Sequence, residues 1–288
     1  MSSRERAELE RVAGGFAMAE GPRWRDGAVI LNDIHADAVK RVDTDGTVST
    51  LAEFPTSPIC IGFLSDGTML VSSLKESCIW RVANGLLSTY ADLSGLSSFD
   101  WGDIVIDARD RVYIANQGMC YPDNVPARID SQIYLLAQGA SPRVVAGDFR
   151  YANGLATTPE QDTLIAAESF GHRLWRMPIH DDGTLGAREL IIQLPDTDRP
   201  DGICCDAAGA VWSANATGRS VTRCTLDGTI TDRISTAEDL AIGCILGGPD
   251  GRDLYITTAP TAHREQARAL RSSTLWRIRV EVPAGGRP

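Results

Sequence analysis

Lysine is almost missing from this 288-residue chain, where Lys40 and Lys75 are the two lysines among 28 basic residues. Acidic residues number 38, the net charge is -10, and the arginines are scattered singly. A nucleic-acid partner needs a basic patch, so that class is excluded. Long apolar runs are missing as well, since none approaches the ~18 to 20 residues that a membrane-spanning helix needs. The opening MSSRERAELERV is charged where a signal peptide would place its apolar stretch. Together these absences predict a cytoplasmic protein with no membrane partner. The seven cysteines (60, 78, 120, 204, 205, 224, 244) form no C-x-x-C pair. They read as reduced thiols packed as small apolar residues, not as disulfides or a zinc cluster. No G-x-S-x-G, H-E-x-x-H, Walker A or G-x-G-x-x-G stretch occurs, which removes the motifs of serine hydrolases, zincins and nucleotide binders.

What the chain has is a repeat. GPRWRDGAVILND, CIGFLSDGTMLVSS, DIVIDARDRVYIAN, GLATTPEQDTLIAAE, GICCDAAGAVWSAN and ILGGPDGRDLYITT each pair two apolar runs around a turn. The turn markers Gly27, Gly67, Asp110, Asp162, Gly209 and Arg252 lie 40 to 52 residues apart and average 45. Between them lie further strand pairs around Asp-Gly or Asn-Gly turns, so each unit holds four strands. Four antiparallel strands every ~45 residues is the pattern of a propeller blade, whose faces are hidden only against neighbouring blades. The expected fold is therefore all-β, a six-bladed β-propeller forming one domain over 1–288 with its core at about 11–280. The run Arg11 to Phe16 is placed to pair with the final strand TLWRIRVEV and close the ring. Residues 1 to 8 and Thr261 to Leu270 are the two helix candidates. A doubly wound α/β fold would need many more amphipathic segments.

Several tempting residues read as structural. Asp43-Thr44-Asp45-Gly46 resembles the start of a calcium loop but lies between strands and lacks the distant Glu, so it reads as a hairpin turn, as do Asp66-Gly67, Asp182-Gly183 and Asp227-Gly228. The histidines 35, 172, 180 and 263 show no ligand spacing. His35, at the end of a strand, is the one to watch for substrate contact.

Equivalent positions in successive blades sit at equal height around the axis. Seven to nine residues before each turn stand Glu20, Cys60, Asp103, Asn153, Asp201 and Cys244. Beside one amide, the three acids at one mouth repel each other, and each carboxylate away from bulk water needs a partner. No Lys or Arg stands in that ring, so a divalent cation is the expected source of charge, held by carboxylate and amide oxygens. Glu20, Asn153 and Asp201 are each followed by Gly, which lets the backbone turn tightly toward the axis.

Here the chain resembles a known family. Ala19-Glu20-Gly21-Pro22-Arg23-Trp24, Ala152-Asn153-Gly154-Leu155-Ala156 and Arg199-Pro200-Asp201-Gly202-Ile203 look like motifs of the gluconolactonase and regucalcin (senescence marker protein) family. Gly247-Gly248-Pro249-Asp250 and Leu254-Tyr255-Ile256-Thr257-Thr258-Ala259 match its last blade. The resemblance implies a metal-dependent lactonase with Glu20, Asn153 and Asp201 as metal ligands. Calcium is the first candidate, with zinc, manganese or magnesium as alternatives. It also implies Asp201 as the base or water-orienting group, with Asp103 as rival. Many sugar lactonases of the family carry Arg-x-Asn-Asp in blade 3. This chain has Phe99-Asp100-Trp101-Gly102-Asp103 there, which keeps Asp103 and loses the Arg and Asn.

Phe99, Trp101, Met119 and Tyr121 are therefore expected at the mouth, making it more apolar, with Asn116 replacing part of the lost polar contact. The expected activity is hydrolysis of a small-molecule lactone or similar cyclic ester less sugar-like than gluconolactone, by a monomer or small homo-oligomer. Two rival readings are a cyclisation or condensation enzyme of strictosidine-synthase type and a non-catalytic metal or ligand binder.

Overall fold

The computed structural model describes residues 2–4, 8–120 and 129–285, and of residues 2–4 the backbone alone. More than half of the residues, 56%, lie in strands. Blade 1 is built from Ala19–Arg25, Ala28–Asp33, Ala38–Asp43 and Val48–Glu53, and blade 2 from Pro58–Phe63, Met69–Ser73, Cys78–Ala83 and Leu86–Asp92. Blade 3 is Trp101–Ile106, Val112–Asn116, Ser131–Leu136 and Arg143–Phe149, and blade 4 is Ala152–Thr157, Thr163–Glu168, Arg173–Pro178 and Glu189–Gln193. Blade 5 is Pro200–Cys205, Val211–Asn215, Ser220–Cys224 and Ile230–Ser235. Blade 6 joins Leu240–Gly247, Asp253–Ala259 and Ser273–Arg279 to Glu10–Phe16 from the other end of the chain. That last strand pairs antiparallel with Ser273–Arg279, so the ring closes as the sequence implies.

The first strand of every blade touches the first strand of the next, all the way round, which makes these six the inner wall. Apolar side chains on each blade face the neighbouring blade, so the core is a set of wedges between blades. The adjacent Cys204 and Cys205 illustrate this arrangement. Pleating sends them to opposite faces, and both are buried, Cys204 against blade 6 and Cys205 against blade 4. All seven thiols are free. The four Asp-Gly turns are hairpins, in each of which the Asp accepts from the Thr amide two residues on.

Helix forms at Arg264–Leu270, within the expected segment. In the expected N-terminal segment the described residues 2–4 are not helical. Ser2–Arg4 is instead a strand pairing parallel with Ile230–Ser235 at the outer edge of blade 5. A free sheet edge offers unpaired backbone groups, whereas an isolated turn or two of helix has little to sustain it.

Every inner strand carries a register shift near its start: Glu20/Arg23, Pro58/Cys60, Trp101/Ile104, Ala152/Leu155, Pro200/Ile203 and Ala241/Gly243. Such bulges re-aim side chains, and here they turn one residue per blade toward the axis. Just below that level the strands come close together. A Cβ on Gly202 would stand 2.8 Å from the Gly243 Cα and 3.1 Å from the Ile242 carbonyl oxygen. Backbone cannot step aside, so Gly202→Ala is expected to destabilise the fold by about 1–3 kcal/mol through overpacking. Denaturant unfolding checks this, and an unchanged midpoint would contradict the close approach.

Candidate active site

Aligning the six bulges fixes which residues share a level. Ala19, Pro58, Trp101, Ala152 and Pro200 pair with the last residues of their neighbouring strands, and Ala241 pairs with Thr258. The next residue in each blade gives the mouth ring: Glu20, Ile59, Gly102, Asn153, Asp201 and Ile242. One level deeper come Gly21, Cys60, Asp103, Gly154, Gly202 and Gly243. Counting from turns alone merges these two levels, because the blades differ in the number of residues between the bulge and the turn. Cys60 and Asp103 belong to the lower level, and Cys244 lies one residue further along its strand.

The mouth opens into a cavity of about 160 Å³ that Glu20, Asn153, Asp201 and His35 all line. Ile59 and Ile242 of the same ring line it too, and the remaining wall comes from two further repeated positions. Ile34, Leu74, Gln117, Ser169, Phe170, Ala216, Thr217 and Ala262 follow the second strands of their blades, and Met18, Tyr151, Arg199 and Leu240 adjoin the start of an inner strand. None of these was singled out from sequence. The signal was their phase in the repeat, the same phase that drew attention to His35.

Asp103 is tied down beneath the cavity. Its Oδ1 accepts from the Ile104 amide at 2.9 Å and pairs with Arg23 Nη2 at 3.3 Å, and its Oδ2 accepts from the Leu155 amide at 2.7 Å. The Cys60 thiol also donates to it. The expectation that no basic residue serves the acids is therefore corrected. Arg23, 4% exposed, reaches under the mouth from three residues along blade 1. With both oxygens engaged and no contact with the cavity wall, Asp103 is badly placed as a base.

The expected apolar contacts also move. Trp101 is 1% exposed and packs edge-on against Tyr134, 5.2 Å between centroids, in the wedge between blades 2 and 3. It precedes the bulge, so its side chain does not turn with the mouth residues. Phe99 and Asn116 line a separate surface groove on blade 3. The Asn116 amide donates to the carbonyls of Phe99 and Asp100. Met119 is buried with Ile129 and Tyr151, behind the cavity wall. Tyr121 lies outside the described residues.

The amide expected of Asn116 comes from its neighbour. Gln117, 2% exposed, lines the cavity, and its Oε1 is buried with no partner among the described residues. A Cβ at position 102 would stand 3.1 Å from Gln117 Nε2, so Gly102 is what makes room for it.

Glu20 and Asp201 carry the electrostatic tension. Burial, then the Asp201 and Asp103 charges, push the Glu20 carboxyl well above the usual range. Burial raises Asp201 to about 8, with the Asn153 hydrogen bond opposing the rise and Asp103 adding to it. Asn153 Nδ2 donates to Asp201 Oδ1 at 2.7 Å and to Ser169 Oγ at 3.1 Å, which fixes the Asp201 orientation. His35 Nε2 donates to the Ala262 carbonyl at 3.1 Å, and burial lowers its pKa, so the ring is neutral. Among the described residues no group of three or more His, Cys, Asp or Glu side chains is arranged to hold a metal. The donors at the mouth are two carboxyls and an amide, neither carboxyl is in an ion pair among the described residues, and that hard-oxygen set fits a divalent cation.

Comparison with known proteins agrees with this architecture. Residues 18–260 match the family model described as SMP-30/Gluconolactonase/LRE-like region. The chain belongs to that family. A 6-deoxy-6-sulfogluconolactonase of Pseudomonas putida is 29% identical over 280 residues, 94% of either chain. Pentonolactonase XacC of Haloferax volcanii is 26% identical over 282 residues, covering 94% of this chain and 93% of its own. The crystal structure of a calcium-binding protein, regucalcin, from Agrobacterium tumefaciens superposes with a TM-score of 0.83 at 20% identity, covering 100% of this chain and 98% of that one.

The raised Asp201 pKa has a consequence for the metal-free protein. Unfolded Asp titrates near roughly 3.9, and folded Asp201 at about 8. The folded state thus holds the proton more tightly. The stability this contributes is whole below the unfolded pKa, declines as pH rises, and is lost above the folded one. Chelator-treated wild type should therefore lose thermal stability relative to Asp201→Asn as pH rises from about 5 to 9. Added calcium should stabilise wild type most at the upper end. Parallel melting curves for the two proteins would contradict the raised pKa.

Proposed function

We propose that this chain is a divalent-cation-dependent hydrolase of a lactone or similar cyclic ester. The observation that carries the reading is the convergence of Glu20, Asn153 and Asp201 on one cavity with two strained carboxyls and no ion pair. The relatives from P. putida and H. volcanii, named as lactonases, support the reaction class. The A. tumefaciens protein, described as calcium-binding, favours calcium as the cation.

Glu20, Asn153 and Asp201 would hold the cation. When bound it supplies positive charge that ionises the carboxyls and polarises the lactone carbonyl. Asn153 holds Asp201 through Oδ1. Oδ2 has no protein donor among the described residues and is the oxygen that takes a proton from the attacking water. Gln117, with an unsatisfied buried oxygen, would accept from a substrate hydroxyl or water. His35, held neutral with Nε2 committed to Ala262, orders the segment that walls the cavity on the blade 6 side. Ile34, Ile59, Leu74 and Ile242 give one side of the cavity an apolar surface, which favours a substrate with an apolar face over a fully hydroxylated ring.

Chelation should abolish lactone opening and calcium should restore it. Glu20→Gln, Asn153→Ala and Asp201→Asn should each weaken metal binding with the propeller still folded, and Asp201→Asn should lower kcat by about 10²–10⁴. Titration calorimetry, melting curves and a lactone panel read these outcomes. Full metal occupancy in all three variants would remove the ligand assignment. Ile59→Ala should cost an alkyl-substituted lactone about tenfold more in kcat/KM than gluconolactone. Equal losses would remove the apolar-face argument.

A further inference from the structure

The arginines around the mouth are nearly all committed. Arg23 pairs with Asp103, Arg233 with Asp198, and Arg264 and Arg268 with Asp37. Arg199 differs. It lines the cavity and is half-buried, its Cζ lies 4.7 Å over the Phe170 ring, and among the described residues its guanidinium meets no carboxylate and no hydrogen-bond acceptor.

Each of these features bears on what the guanidinium is for. The cation–π contact with Phe170 holds the group against the ring and leaves its N–H donors for a ligand. The backbone is anchored, because the Arg199 carbonyl accepts from the Ala216 amide at 2.9 Å and Pro200 fixes the next residue's φ. Two residues of extended chain put the Arg199 and Asp201 Cα atoms ~6–7 Å apart. That separation lets one small molecule lie against both side chains. A cavity wall that spends five N–H donors on no protein acceptor is arranged for an acceptor brought from outside. The protein as a whole carries a net charge of -10, which disfavours anions, so an anionic ligand would need such a local cation.

We infer that the substrate carries an anionic oxyacid group, a carboxylate or a sulfonate, and that Arg199 receives it by paired, charge-assisted hydrogen bonds. This rests on the lactone-hydrolase reading and specifies its substrate class. The ring lies over Asn153 and Asp201, and the anionic substituent points along blade 5 toward Arg199.

The test uses a matched pair, γ-valerolactone and γ-carboxy-γ-butyrolactone, which differ by methyl against carboxylate on one ring. The sulfonate counterpart separates the two oxyacids. All are assayed with calcium-saturated wild type, Arg199→Gln and Arg199→Lys, with melting curves to establish folding. Arg199→Gln should lower kcat/KM on the carboxylate lactone about 10- to 100-fold more than on the methyl lactone, mainly through KM. Arg199→Lys, which keeps the charge and loses the fork, should fall between. Equal losses on the pair, or none, would overturn the assignment. Calorimetry with tetrahydrofuran-2-carboxylate, which has no ester to open, reads the anion site independently of turnover. If wild type opens no lactone yet binds this acid and Arg199→Gln does not, the hydrolase reading fails and the anion site stands. Identical binding by the two proteins overturns the anion site.

Discussion

The structure depends on how closely six inner strands can approach one another just below the mouth. At that level four of the six residues are glycine, and at Gly154, Gly202 and Gly243 a Cβ would run into the neighbouring strand. Cys60 and Asp103 are the two side chains left in the layer. Neighbouring inner strands therefore touch one another just below the cavity, and this tight level is its floor. Each of Glu20, Asn153 and Asp201 stands beside one of these glycines in sequence, so the same tightness brings their side chains together.

The floor is charged, and that shapes the chemistry above it. Arg23 and Asp103 form a buried pair beneath the mouth, and its acidic member adds to the rise in both Glu20 and Asp201. Removing one partner of such a pair leaves the other buried and uncompensated, which costs several kcal/mol, so Asp103 acts through structure and field. Its two engaged oxygens separate it from Asp201, which lines the cavity with one oxygen held by Asn153. Two carboxylates that look alike in the motif have different environments because Asp103 stands one residue further along its strand than Asp201 does, and so a level lower.

The repeat, the blade count and the closing strand were legible in the sequence from the spacing of apolar runs and turns, and the convergence of Glu20, Asn153 and Asp201 from the glycine that follows each of them and from the family resemblance. The bulges were not. A one-residue shift in an inner strand leaves no mark in composition, yet it sends Trp101 into a wedge and sets Asp103 beneath the floor. The same shift of one position separates Asn116, whose amide closes a turn, from Gln117, which reaches the cavity. Arg23 was hidden for another reason. It lies three residues beyond Glu20 in blade 1, but its guanidinium acts in blade 3, and sequence distance says nothing of that reach. Counting the residues after each second strand would have found half of the wall.

Blade 6 takes one strand from residues 10–16 and three from residues 240–279. On the ribosome this makes the chain wait. The early segment has no sheet to join until residues 240–279 have been made, and the long-range pairing that seals the ring must wait for them. The cavity inherits that schedule. Glu20 comes from the first blade synthesised and Ala262 from the last, so a growing chain has no enclosed site, and ligand recognition begins only with a finished circle.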